Sequence, residues 1–285
     1  MPRWLSRARK NGSLLALPTV LWLVIFFVTP LVIVLAFSFM SRGRGGVAIM
    51  PFTLNHYERT FDIFFIILQR SIGLAALTTV ICLIAGYPLA FFISTRRRRL
   101  VQQITLFLVI LPFWTNFLIR TYAWRILLGE EGTINSALLN LGLISEPLPL
   151  LNTQLAVLIG LVYGFLPFMV LPIFASVERF NFRYVDAAHD LGANDIRTFL
   201  RIVLPLTMPG VLAGCALVFI PSVGAFVTPD LLGGTKGLMI GNLINNQFGG
   251  SGNMPLGSAL SVVMMAVVML SLLVYVFANR RDRGA

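Results

Sequence analysis

Six runs of apolar residues punctuate the chain: Leu14–Phe39, Ser71–Ile93, Leu100–Ile119, Leu155–Val177, Leu206–Val227 and Leu256–Ala278. None of them holds an Asp, Glu, Lys or Arg. A helix crosses the hydrocarbon of a bilayer in about 20 residues, and one such charge at mid-membrane costs roughly 2.5–3.5 kcal/mol on insertion scales. The pattern therefore predicts six transmembrane helices. Pro18, Pro30, Pro88, Pro112, Pro167, Pro172 and Pro221 fall inside the runs. Each frees a carbonyl that a neighbouring helix or a water-lined cavity must satisfy, so the spans are either kinked or broken along a path.

The segments between the runs carry their own signals. "RWLSRARK" before the first run raises a signal peptide, but the run is too long and no small-x-small cleavage site follows, so a retained span is expected. "GTINSALLNLGLI", between the third and fourth runs, is apolar but too short to span and is expected to lie as a surface helix. "TPDLLGGTKGLMIGNLINNQFGGSGNMP" is rich in Gly and Asn and is expected to fold back over the outer face. There is no internal repeat or low-complexity linker, which argues for one domain.

Composition narrows the class. Hydrophobic residues make up 57% of the chain and charged ones 12%, against about a quarter charged in a soluble domain. The fold class is an all-α integral membrane protein. A net charge of +11 does not indicate nucleic-acid binding, because the arginines cluster beside apolar runs, as membrane topology requires. With the N-terminus in the cytoplasm, residues 1–13, 94–99, 178–205 and 279–285 lie inside and hold 15 of the 22 Lys and Arg residues. Both termini are then cytoplasmic, flanking a membrane domain over residues 14–278, and Arg96–Arg99 is the strongest anchor. Cys82 and Cys215 lie inside apolar runs and read as small core residues, with no disulfide or metal site.

The loop 178–205 stands out. Its segment "DAAHDLGANDIRTFLRIVLP", Asp186–Pro205, is polar where the rest of the chain is apolar. "YVDAAHDL" predicts a short helix, Gly192 fits the C′ position that ends one, and Asn194 is a good N-cap for a second. Ile196, Phe199, Leu200 and Val203 fall at i, i+3, i+4 and i+7 as one apolar stripe, with Arg197, Thr198 and Arg201 facing away. The product is a helix–Gly–helix elbow tied to the fifth span. Ala187 and Ala188 allow a second protein to approach closely, while Asp186, His189 and Asp190 supply polar contacts. A solvated loop with two amphipathic helices would show the same local pattern.

The spacing goes further. Asp186-Ala187-Ala188, three residues, Gly192, nine residues, then Ile202-x-Leu204-Pro205 resembles the EAA loop of ABC importer permeases, with Asp in place of Glu. Three further stretches, "ILPFWTNFLIRTYAWRILL", "YGFLPFMVLPIFASVE" and "LVFIPSVGAFVTPDLLGGTKGLMIGNLI", make the chain similar to permease subunits of spermidine/putrescine ABC importers from about Leu14 to Ala278. The resemblance implies the six-span type I importer (MetI-like) fold in a bacterial inner membrane. It also implies an ATPase dimer docked on Asp186, Ala187, Ala188, His189, Asp190 and Gly192, a second homologous permease, and a periplasmic binding protein that delivers the substrate. No cofactor is implied in this chain, with ATP and Mg bound by the ATPase. Relatives for iron, sulfate, molybdate or thiamine share much of this architecture.

Candidate pathway residues follow from the chemistry of a cationic substrate, whose ammonium groups suit aromatic faces and carboxylates. Trp114, Tyr122, Trp124 and Tyr163 lie near the outer halves of the third and fourth spans, Asp230 ends the fifth, and Glu130 and Glu131 follow the third. Asn116 and Ser222, with Tyr163, are polar neutral groups suited to lining a path. An interfacial aromatic belt would place the same rings there, and Arg120 and Arg125 oppose cation attraction. An intramembrane enzyme is disfavoured: His56 and His189 lie in loops on opposite sides, and no His-Glu-x-x-His, Gly-x-Ser-x-Gly or phosphate-binding Gly-x4-Gly-Lys-Ser/Thr occurs. An ion-driven secondary transporter usually places an ionisable group at depth or shows inverted repeats, and neither is visible here.

Overall fold

All six apolar runs become helix in the computed structural model, which describes residues 12–96, 98–249 and 252–281. Residues 1–11, Arg97, residues 250–251 and residues 282–285, which include most of the expected N-terminal segment, part of the Gly- and Asn-rich loop and part of the tail, lie outside the described residues. Two compact units divide the chain, Met1–Phe64 with Ile244–Val263 and Phe65–Leu243 with Met264–Ala285.

In the first unit, α1 (Gly12–Leu23) passes through a π-helical turn (Val24–Val28) into α2 (Thr29–Ser38). The widened turn closes with Thr29 N–H donating to the Val24 carbonyl, immediately before Pro30. A proline ring collides with the carbonyl four residues back in a regular helix, and one extra residue in the turn relieves that. The turn "SRGRGG" then joins a short antiparallel hairpin, β1 (Met40–Arg42) and β2 (Ala48–Phe52), with Met40 opposite Phe52 and Arg42 opposite Ala48. No strand was expected there. Helix α3 (Asn55–Asp62) follows, fastened by a 2.7 Å hydrogen bond between Ser38 Oγ and Tyr57 OH.

The second unit holds the transmembrane core. It begins with α4 (Phe65–Ser94). The third run departs from its expected single span: α5 (Arg99–Ile110) tightens into a 3-10 turn (Leu111–Trp114), and the chain then bends by 91° before α6 (Phe117–Leu128). Pro112 begins the break, and Asn116 starts the new helix by accepting the Leu118 N–H at 2.8 Å. Among the described residues five helices are thus long and apolar enough to cross a membrane, and a sixth crossing exists if the bent pair is one span. The surface helix expected after the third run is present as α7 (Thr133–Asn140), held by buried Asn135, whose side chain bonds Gly129 and Leu148. Then come α8 (Gln154–Glu178), α9 (Arg183–Asp190) and the short α10 (Asp195–Thr198). A second π-turn (Phe199–Val203) leads into α11 (Leu204–Val223), followed by a third (Pro229–Gly233); α12 (Ile240–Phe248) and α13 (Met254–Arg281) are each divided between the two units.

Helices α4, α8 and α11 pack on one another. Cys82, Ala90 and Ile93 of α4, Met169, Val170, Ile173 and Val177 of α8, and Val218 of α11 are fully buried between them. In lipid such contact rests on close packing more than on exclusion of water, so small residues at the contact matter. A Cβ on Gly210 would stand 2.6 Å from the Pro172 carbonyl oxygen and 2.5 Å from the Ser176 Cβ. One buried polar tie crosses the same core: Tyr87 OH and Thr207 Oγ1 lie 2.9 Å apart. Pro88, Pro167, Pro172, Pro209 and Pro221 sit inside unbroken helices. Of the prolines in the runs, only Pro112 stands at a sharp break.

The loop after α11 folds over one end of this core, as expected. Ile240 N–H donates to Ser71 Oγ of α4 at 2.7 Å, Asn152 N–H to the Leu232 carbonyl at 2.8 Å, and Asn242 Nδ2 to the Phe226 carbonyl at 2.8 Å. Overpacking of a tight contact typically costs 1–3 kcal/mol. Gly210→Val is expected to force α11 off α8 by about that much, read as a lower melting temperature of the detergent-solubilised protein; an unchanged Tm would show the contact to be slack.

Candidate functional site

The elbow forms where the spacing placed it. Helix α9 ends at Leu191, and Gly192 adopts φ +78°, in the left-handed region that L side chains rarely occupy. Gly192 N–H donates to the His189 carbonyl at 2.8 Å and Ala193 N–H to the Ala188 carbonyl at 3.0 Å. This pair of bonds is the Schellman arrangement that satisfies the last carbonyls of a helix. Asn194 then accepts the Arg197 N–H at 2.9 Å and caps α10. Across the bend, His189 Nε2 lies 3.2 Å from an Asp195 carboxylate oxygen, an exposed pair that orients more than it stabilises.

The elbow is continuous with the core. Residues Asp195–Val223 form one helical run. Its π-turn places Phe199 edge-on to Tyr87 and Phe91 of α4, at centroid distances of 5.5 and 6.5 Å. Leu204 N–H closes the turn on the Phe199 carbonyl, one residue before Pro205. The turn also rotates the expected apolar stripe. Thr198 and Val203 are buried and Phe199 half-buried, while Ile196 and Leu200 stand 71% and 55% exposed. Thr198, expected to face away, therefore faces inward, because the extra residue shifts the helical phase.

Of the candidate coupling residues, Asp186, Ala187, His189, Asp190 and Gly192 are exposed and Ala188 is buried. Leu191, between Asp190 and Gly192, is 89% exposed. A groove of about 610 Å³ runs beside it, floored by Ala187, Ala188 and Ala193 and walled by Tyr184, Leu191, Arg197 and Arg201. The alanines leave room, and exposed Leu191, Ile196 and Leu200 offer an apolar face with arginines nearby. That combination suits a protein surface, and nothing in it can do chemistry. Leu191 was not singled out by sequence, since a Leu before a helix-ending Gly reads as a packing residue.

The pathway candidates are distributed over the opposite half of the unit. Trp124 of α6 and Tyr163 of α8 come together, with ring centroids 5.5 Å apart. The turn Pro229–Gly233, with exposed Asp230, packs against both helices, and Thr228 and Leu232 fill the space over Gly160. Tyr122 is half exposed on α6. Trp114 and Asn116 flank the 91° break, where Trp114 is 77% exposed and meets Phe107 edge-on. The Asn116 amide oxygen is occupied in its cap. Ser222 is buried, and its hydroxyl donates to the Val218 carbonyl at 2.6 Å. At the break sequence reasoning undervalued Arg120, whose guanidinium lies over the rings of Phe113 and Phe117, at 5.2 and 5.7 Å, with buried Nε and Nη1 that make no hydrogen bond. In the first unit His56 is buried, and desolvation holds its imidazole below the ordinary histidine range.

A bundle of apolar spans with a Gly-hinged elbow at one end defines a transport permease. The profile of the family described as "Binding-protein-dependent transport system inner membrane component" matches residues 82–283, and the chain belongs to that family, whose members are multi-pass inner-membrane proteins. It is 43% identical over 260 residues to the spermidine/putrescine transport system permease protein PotB of Haemophilus influenzae, covering 91% of each chain. It is 44% identical over 260 residues to PotB of Escherichia coli (strain K12), covering 91% of this chain and 94% of that one. The fold matches a chain of a bacterial alginate ABC transporter solved in complex with an alginate pentasaccharide-bound periplasmic protein, with a TM-score of 0.73 at 17% identity over 99% of this chain and 98% of that chain.

Loss of an N-cap costs typically about 1 kcal/mol. Asn194→Ala is expected to lower stability by that order and to increase proteolysis at the elbow ahead of the bundle; cleavage spread evenly over the chain would show that the cap does not hold the bend.

Proposed function

We propose that this chain is a permease subunit of an ATP-driven importer of polyamines, spermidine and putrescine among them, and forms half of the translocation pathway. The observation that carries the reading is the elbow at Asp186–Gly192: an exposed, alanine-floored, Gly-hinged bend built into the same helical run as a core span. A homologous second permease completes the pathway, and a periplasmic binding protein delivers the substrate. ATP and Mg are held by an ATPase dimer docked on the elbow groove. The basic elbow end and both termini face the cytoplasm, as the Lys and Arg distribution requires. The polyamine assignment draws on the likeness to the two PotB proteins.

The geometry suggests how force travels. The run Asp195–Val223 has 29 residues, roughly 43 Å of helix at 1.5 Å per residue. Its near end carries the elbow and its far end leads into the turn that bears Asp230. Closure of the ATPases displaces the elbow, and α11 conveys the displacement to that turn and to the Trp124–Tyr163 pair it packs beside. The coupling is real only to the extent that the ATPases bind the two elbow positions with different affinity. Polyammonium chains meet a carboxylate at Asp230 and aromatic faces at Trp124 and Tyr163, contacts that suit cations.

Proline at position 192 cannot adopt φ +78° and has no N–H for the His189 carbonyl. Gly192→Pro is therefore expected to abolish ATP-driven spermidine uptake while the subunit still inserts at normal levels; normal uptake would remove the elbow from the coupling path. Transport-linked ATPase measurements on the assembled complex, with spermidine, putrescine, iron and sulfate each offered through its binding protein, test the substrate. Stimulation by the polyamines alone is expected, and stimulation by iron or sulfate alone would reassign it. Asp230→Asn is expected to reduce polyamine uptake several-fold without loss of assembly; equal loss of both would make Asp230 structural.

A further inference from the structure

The start of α5 presents an unbalanced positive corner. Arg96, Arg98 and Arg99 gather where α4 ends and α5 begins. Among the described residues none of the three has a carboxylate within ion-pair distance. Glu178, at the end of α8, accepts the Gln102 amide through its Oε1 at 3.4 Å. Arg179 and Arg183 add further positive charge at the same end of the helices. The Arg96 guanidinium carbon lies over the Phe92 ring, 3.7 Å from its centroid.

The surface immediately beyond these guanidiniums is apolar and open. Leu100, Ile104 and Leu108 repeat every four residues along one face of α5 and are 68%, 50% and 57% exposed. A cationic head above an exposed apolar stripe of a membrane helix is complementary to one kind of molecule, an amphiphile with an anionic head and hydrocarbon tails. Basic residues at the membrane surface attract anionic lipid headgroups. We propose that Arg96, Arg98 and Arg99 bind the phosphate headgroup of an anionic phospholipid whose acyl chains lie along Leu100, Ile104 and Leu108. An acidic protein surface would satisfy the arginines and leave the stripe bare.

The site lies beside the foot of the elbow. Phe91, one turn before the arginines, touches Phe182 at the start of α9 and Phe199 in the π-turn, at ring distances of 6.4 and 6.5 Å. A lipid held there braces the helices from which the elbow hangs. The proposal concerns only this chain's membrane corner and stands whatever solute is transported.

The test uses the full chain purified in detergent with the subunits that accompany it, titrated with phosphatidylglycerol, phosphatidylcholine or inorganic phosphate while its Tm is followed. Phosphatidylglycerol is expected to raise Tm saturably and the other two to leave it unchanged. The triple variant Arg96→Gln, Arg98→Gln, Arg99→Gln should need at least ten-fold more phosphatidylglycerol for half of the effect. The triple Lys variant should respond like the wild type, and so should Arg44→Gln, Arg59→Gln, Lys236→Gln, which removes equal charge elsewhere. An equal response to phosphatidylcholine, a response to inorganic phosphate alone, or an undiminished response in the Gln variant would overturn the proposal. If the Gln variant does not assemble, the comparison of the three additives on the wild type and the Lys variant decides the question.

Discussion

A peptide group left without a hydrogen-bond partner in hydrocarbon costs several kcal/mol, and the whole architecture answers to that constraint. It makes every apolar run helical, because only a helix satisfies its own backbone along its length. It also confines departures from regular helix to places where another partner is at hand. Two of the π-turns close an i→i+5 bond where a proline would otherwise collide with a carbonyl, at Pro30 and Pro205. The one sharp break, between Trp114 and Phe117, is closed by the side chain of Asn116.

Within that constraint, packing decides what is rigid and what can move. α4, α8 and α11 share a dense core crossed by few polar ties, the buried one between Tyr87 and Thr207, and a contact at Gly210 with no room for a methyl group. The elbow has the opposite character. Its side chains are exposed, its bend depends on one glycine, and its anchorage is the wedge of Phe199 against Tyr87 and Phe91. Because α11 continues from the wedge to the turn that carries Asp230, the two regions singled out for different roles are the ends of one mechanical element.

Charge is arranged around the same frame. Among the described residues Arg96, Arg98 and Arg99 have no ion-pair partner, whereas the elbow's charges, Asp186, Asp190 and Asp195 with Arg183, Arg197 and Arg201, are mixed in sign. A mixed surface suits contact with another protein, and an unmixed one beside bare hydrocarbon suits lipid. Arg120 is different again, half-buried against two phenylalanine rings at the break, where it sets a positive charge beside the aromatic residues proposed to meet a cation.

Much of this was determined by the sequence alone, and the reason is that the signals are local. Uncharged runs of about twenty residues read as membrane helices, a glycine after Asp-Ala-Ala-His-Asp-Leu reads as a helix end, and Asn194 reads as the cap of the next. The tertiary structure decided the rest. It broke the third span at Pro112 and Asn116, turned Thr198 inward and Ile196 outward by inserting a π-turn, and built a hairpin from "SRGRGG" and its flanks. It also brought Trp124 to Tyr163 across two helices, while leaving Trp114 and Asn116 apart at the break. Each of those outcomes depends on which face of a helix meets which neighbour. A nearly uniform apolar run carries no polar stripe to announce that face, so it emerges only when the helices pack.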